Sequence, residues 1–408
     1  MVKPAYRPLE TGRTATALPT KEPQAKALGL RPIPLWKLGP AVFGPGLVVM
    51  LADTDAGSAI VAAQSGAQWG YGMLLLQVLL IPVLCVVQEL TVRLGLATHK
   101  GHGELIAERF GKGWAWLSVG TLLVSCVGAM ATEFSAIASV GMVFGISPWM
   151  SISFTILFLV TVVATGSYRQ VEMVALSIGL FEMAFIAVAF VSHPSGAAML
   201  RGMTHMPLDN RQYLFLLASN VGAVIMPWMV FYQQSAVVDK GLDISHMKPA
   251  RCDTIAGAFV TQIIMAAILI LAATTIGAKN PNTPLESVQQ IADALTPFLG
   301  GFWGKVTFAL GVLGAAWVAT IVVSLTAAWG LGEVTGYKRS LAHRPFEAPL
   351  VLRRLCVQPA GRRGHRAFGR QPYKASRRRE CDERLVAANC SWFFVLSGAE
   401  GAAGTLAA

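Results

Sequence analysis

Charge is what this sequence has least of. Asp, Glu, Lys and Arg make up 13% of its 408 residues, about half the share of an ordinary soluble domain. Cysteine is scarce too, with six in the chain. Cys356, Cys381 and Cys390 fall in the last stretch, while Cys85, Cys126 and Cys252 lie in or beside apolar runs without metal-ligand spacing. Neither a disulfide framework nor a zinc module fits that distribution, and the latter three read as packing residues. There is no phosphate-cradling loop, nucleophile elbow or zinc-peptidase His pair, so the reading is not an enzyme and needs no resident cofactor. The first 35 residues lack a signal-peptide h-region. They are polar, Pro-containing and basic, and read as a disordered cytosolic leader (1–35).

What the chain has is apolar length. Hydrophobic residues make up 54% of it, and a bilayer crossing needs about 20 of them in a run. Runs of that kind cover 38–67, 71–96, 115–143, 147–166, 171–192, 213–237, 253–277 and 301–329. The fold class is therefore all-α and polytopic, with a transmembrane domain over 36–349 and about eight helices. Lys and Arg cluster before the first run and after the second, fourth, sixth and eighth. The opposite connections hold only Arg201, Arg211, Lys279 and Lys305. That bias puts the N-terminus in the cytoplasm of a bacterial-type inner membrane, with the lipid bilayer as the obligatory surrounding.

The net charge of +11 does not point to nucleic acid, because its location is wrong. From Leu350 onward eleven Lys/Arg face four Asp/Glu, a net of +7. The region 350–408 is a basic tail, expected to be disordered. Near residue 349 a one-base shift in frame permits a stop-free alternative with two apolar runs, ending "SVMNASLLPIVLGF". The tail is therefore read as out of frame, with the last helices of the bundle missing.

The stretch "GPGLVVMLADTDAGSAIV", 44–61, carries two carboxylates, Asp53 and Asp55, in the middle of the first span. Backbone can leave the helical path inside a membrane only where it is buried or lines a cavity, and an ionisable residue at that depth marks a functional site. Unwinding near Asp53–Gly57 would turn carbonyls and carboxylates toward a cation. The sixth span has a matching irregularity, with Gly222 and then Pro227 in "ASNVGAVIMPWMVFYQQSAVVDKG". Inverted-repeat transporters place broken helices at corresponding positions, with the ion between them. A first and a sixth helix correspond if each repeat has five. Met226 lies just before the second break, and its thioether suits transition metals better than magnesium or calcium.

These residues resemble the NRAMP (natural resistance-associated macrophage protein) divalent-metal transporters, which have a LeuT-like inverted-repeat core. Asp55-Ala56-Gly57-Ser58 is similar to the family's D-P-G-N motif. Ala223 to Trp228 is similar to its A-x-x-M-P-H motif. "RLGLATHKGHGELIAERFG" (93–111), "ATEFSAIASV" (131–140) and "YRQVE" (168–172) follow in the family's order. The resemblance covers about 36–349, and the shifted-frame string is similar to the family's tenth helix. It implies a metal site of Asp55, Ser58, Met226 and the Ala223 carbonyl, with Glu133 on the proton pathway. This chain departs from the pattern at Ser58 (usually Asn), at Trp228 and Gln233 (usually His), and at Asp53, an added acid. Proton relay through Asp53, Glu133 and Glu89 is then the substitute for the absent histidines.

The expected function is a secondary transporter importing Mn2+ or Fe2+, with metal ion and protons as partners and no obligate protein partner. A magnesium transporter of the same kind is the alternative, since the loss of the amide and the extra Asp53 suit a partly hydrated Mg2+. A truncated, transport-inactive membrane protein is the alternative of another class. For Glu89 an interfacial pair with Arg93 stands beside the relay role. Glu182 is isolated in sequence and is expected only to face the bundle. His99 and His102 read as part of a solvated helix rather than a metal pair.

Overall fold

The computed structural model describes residues 44–164, 168–278 and 302–336, with positions 285, 288, 290 and 291 between the last two. The leader and the tail lie outside the described residues. Within them all regular structure is helical.

The first span is two helices, α1 (Pro45–Asp53) and α2 (Ala56–Trp69), bent by 51° at the break. Pro45 opens α1, where its missing N–H costs nothing. The second span is α3 (Leu74–Thr98), closed by His99 in a left-handed conformation. A short amphipathic helix, α4 (His102–Phe110), leads to α5 (Lys112–Val143). Then come α6 (Pro148–Ala164) and α7 (Tyr168–Gly179). A 3-10 turn, Leu180–Glu182, joins α7 to α8 (Met183–Val191). Helix α9 (Gly196–Thr204) connects to the sixth span, again in two pieces, α10 (Arg211–Val224) and α11 (Pro227–Asp239). The seventh span, α12 (Met247–Ala272), widens into a π turn at Ala273–Gly277. The last is α13 (Phe302–Thr335).

Among the described residues six helical stretches are long and apolar enough to cross a membrane, or seven with the bent pair α1–α2. The run expected at 147–166 forms the 17-residue α6, about 26 Å long at 1.5 Å per residue and slightly short of the hydrocarbon core.

Burial sorts the spans. In their most apolar windows α13 and the seventh span are 72% and 61% buried, the other long spans about a third. The outer helices present Val124, Phe190 and Phe215 outward, as a lipid solvent permits. The broken first span lies innermost: Val48, Val49, Met50 and Ala52 are fully buried. It packs against α12 and α13. At Gly66 the α2 and α12 backbones come so close that a Cβ would stand 2.1 Å from the Leu269 carbonyl oxygen. Small residues permit such approaches between membrane helices.

The entry to α1 is tied down by carboxylates. Asp253 Oδ2 accepts from Gly44 N at 3.2 Å and Gly46 N at 2.7 Å, satisfying donors that a helix start leaves orphaned. Lys240 Nζ is paired with Glu172 at 2.8 Å beside it. Cys252, read from sequence as a packing residue, is exposed, whereas Cys126 is buried.

Candidate metal-transport site

Both interruptions have a local cause. In the first span Thr54 turns back, its N–H donating to the Leu51 carbonyl at 3.2 Å. Asp55 then starts a new helix as its N-cap, accepting from Ser58 N at 2.7 Å. The Met50 carbonyl, deprived of its helical donor by that turn, accepts from the Thr261 hydroxyl of α12. In the sixth span, the helical partner of the Ala223 carbonyl would be the N–H four residues on. That residue is Pro227, which has none. The freed carbonyl accepts instead from Ser58 Oγ at 3.1 Å. One break supplies the hydroxyl and the other the orphaned oxygen.

The first break falls within the expected Asp53–Gly57 and the second just ahead of the expected Pro227, while the two glycines named with them lie inside helices. Gly57 is in the first turn of α2 and Gly222 is inside α10; the discontinuities fall at Thr54–Asp55 and Ile225–Met226. A capping acid and a proline determine them, not the glycines. Gly57 has another use: a Cβ there would be 3.4 Å from Asp55 Oδ1, crowding the carboxylate.

Four carboxylates gather at the first break. Asp55 is 4% exposed and Asp53 1%, and Glu133 and Glu182 are fully buried. Glu133, from α5, accepts from Ala56 N through both oxygens at 3.2 and 3.3 Å, where the N-terminal end of α2 favours an anion. Glu182, from the 3-10 turn, meets the Thr54 hydroxyl. Neither oxygen of Asp53, nor Oε1 of Glu182, has a hydrogen-bond partner. The ion pairs among the described residues involve none of the four. Two like charges 4 Å apart repel by about 4 kcal/mol even at an effective dielectric of 20. Such a cluster is stable only with cations or protons added.

Of the other sequence-expected residues, Met226 is the extended residue between α10 and α11, half-buried against the main core. Trp228 and Gln233 are fully buried, and Gln233 Nε2 donates to Thr254 Oγ1 at 2.8 Å. Glu89 is not at the break. It pairs with Arg93 and Arg251, each at 2.6 Å, on a polar exposed edge. His102 meets Gln234 at 3.0 Å and stacks edge-on against Phe231, a packing role. Among the described residues no three His, Cys, Asp or Glu side chains converge as a metal cage. The donors on offer are mixed: carboxylate, hydroxyl, carbonyl and thioether.

Thr54, Thr261 and Glu182 were not legible as site residues, nor was the second bridge between the broken spans. In that bridge Asn220 donates to Ser65 Oγ at 2.7 Å and accepts from Gln77 at 2.9 Å.

Comparison with known proteins gives this architecture a family. A family model described as natural resistance-associated macrophage protein-like matches residues 46–361. The chain belongs to the Nramp family. Its curated relatives include the divalent metal cation transporter MntH 1 of Pseudomonas aeruginosa, 27% identical over 370 residues, 86% of this chain and 82% of the relative. The Yersinia pestis (strain Pestoides F) divalent metal cation transporter MntH is 28% identical over 334 residues, 79% of this chain and 78% of that one. The crystal structure of the Eremococcus coleocola manganese transporter superposes with a TM-score of 0.63, at 16% identity, over 90% of this chain and 78% of that one. The Nramp protein described here shares that LeuT-like all-α membrane fold.

Proposed function

We propose that this Nramp protein is a secondary transporter that imports divalent metal, Mn2+ or Fe2+, by alternating access across a bacterial inner membrane. Its N-terminus is cytoplasmic. The ion is held by Asp55, Ser58, the Ala223 carbonyl and Met226, and Glu133 and Asp53 carry protons. The observation that supports this most is the Ser58–Ala223 hydrogen bond, which joins the two helix breaks at the residue Asp55 caps. An arriving cation can replace the hydroxyl proton as the partner of that carbonyl, so the donors come preassembled. The divalent-metal names of the relatives agree with the reading.

A magnesium substrate is the second reading, favoured by Asp53. Its unpartnered carboxylate adds a hard acceptor able to bind the retained waters of Mg2+. The third reading is a metal-binding protein that moves nothing.

Uptake by proteoliposomes containing the 408-residue chain separates these. Mn2+ or Fe2+ accumulation lost in Asp55→Ala supports the first. Selectivity that shifts toward Ca2+ or Mg2+ in Met226→Ala adds the thioether to the site, and unchanged selectivity removes it. Mg2+ accumulation without Mn2+ supports the second, and binding without accumulation the third.

A further inference from the structure

Thr54 makes two contacts with one proton. Its Oγ lies 2.7 Å from the Leu51 carbonyl and also meets Glu182 Oε2. A carbonyl has no hydrogen to give, so the Thr54 hydroxyl hydrogen goes to Leu51. The contact between Thr54 Oγ and Glu182 Oε2 then has a hydrogen only if Glu182 supplies it. A carboxylate supplies none; a carboxylic acid supplies one. The other oxygen, Oε1, is buried and unpartnered, which suits the C=O of a neutral acid better than half of an anion.

The surroundings agree. The charged groups facing Glu182 are Asp53 at the end of α1 and Glu133 on α5, both carboxylates. Helix α13, packed against the 3-10 turn, has only Lys305 and Glu333 as charged residues, near its two ends. Helix α7 has Arg169 and Glu172 in its first turns, and α8 has none. Among the described residues no cation pairs with Glu182.

We infer that Glu182 is a proton-carrying residue of this transporter, holding its proton against Thr54 at the hinge of the first span. Thr54 is the residue through which α1 turns into α2, so bending the break moves the acceptor of that proton. When the hinge opens and water reaches Oε2, the O–H bond breaks, the proton leaves with the water, and a carboxylate remains among three others. That state favours an incoming divalent cation. In the closed hinge the proton returns. The transport half of this inference rests on the proposed function; the protonation half does not.

Infrared spectroscopy and flux together test it. The wild-type chain at neutral pH is expected to show the carbonyl stretch of a buried carboxylic acid that Glu182→Gln removes. In proteoliposomes, Glu182→Gln keeps a donor to Thr54 and is expected to lose Mn2+-driven proton entry and the pH dependence of the Mn2+ uptake that remains. Thr54→Val is expected to keep the acid band but shift its frequency, which covers the case in which the Gln variant does not fold. A wild-type spectrum without such a band, or a band that Glu182→Gln leaves intact, overturns the inference. So does coupled proton entry unchanged in that variant. A wild type that shows the band but moves no metal overturns the proposed function instead and leaves the protonation standing.

Discussion

Pro227 lies four residues after Ala223 and, having no N–H, leaves that carbonyl to Ser58 of another span. The missing hydrogen bond in one helix becomes the link between two. Pro227→Ala would return an N–H to the Ala223 carbonyl and remove the ring clash, a change of about 3 kcal/mol in favour of a continuous helix. The expected outcome is a more helical, thermally more stable protein that no longer accumulates metal. Circular dichroism, melting in detergent and proteoliposome uptake check it; undiminished uptake would show that the break does not need the proline.

Glu133 caps α2 as well as adding charge. Glu133→Gln keeps an acceptor for Ala56 N and removes one of the mutually repelling carboxylates, which offsets the loss of an anion at the helix start. Glu133→Ala leaves Ala56 N unsatisfied, for about 1–3 kcal/mol. Thermal melting should therefore rank Gln above Ala. Equal melting of the two variants would mean that the cap contributes nothing.

Two glycines give opposite expectations. At Gly66 a methyl would meet the Leu269 carbonyl at 2.1 Å, so Gly66→Ala forces α2 and α12 apart and costs about 1–3 kcal/mol. At Gly222 nothing lies within 4 Å of the added carbon, so Gly222→Ala gains about 0.5–1 kcal/mol of helix preference. Opposite shifts in melting temperature are the test.

Glu89 supplies a control for proton coupling. Its partners Arg93 and Arg251 are about half exposed, and pairs of that kind contribute about 0–1 kcal/mol. Glu89→Gln should melt within a degree or two of wild type and leave the pH profile of uptake unchanged. A flattened profile would return Glu89 to the relay.

How much of this was legible in the sequence depended on how local its cause was. A proline four residues past a carbonyl, or an acid followed by a small residue and a hydroxyl, carries its consequence within one turn, so both interruptions could be read. Gly57 and Gly222 were the misleading part: the cap at Asp55 and the back-turn of Thr54 set the first break, and Pro227, as expected, the second. Glu182 was opaque for the opposite reason. Its sequence neighbours are all apolar, and the hydroxyl that gives it meaning lies 128 residues away. Glu89 misled because a carboxylate late in an apolar run resembles a relay group until Arg251, 162 residues on, closes on it. The fold class needed no such long-range knowledge, since hydropathy is summed along the chain.

The order of burial has a consequence for biogenesis. The acidic first span is enclosed by spans that leave the ribosome well after it, α12 and α13. During synthesis its carboxylates must wait at the insertion machinery or in the interface, protonated or hydrated, until those shields arrive. Assembly of this protein is therefore a late event in its translation, and a ribosome stalled before α13 would present quality-control proteases with an acidic helix that has no shelter.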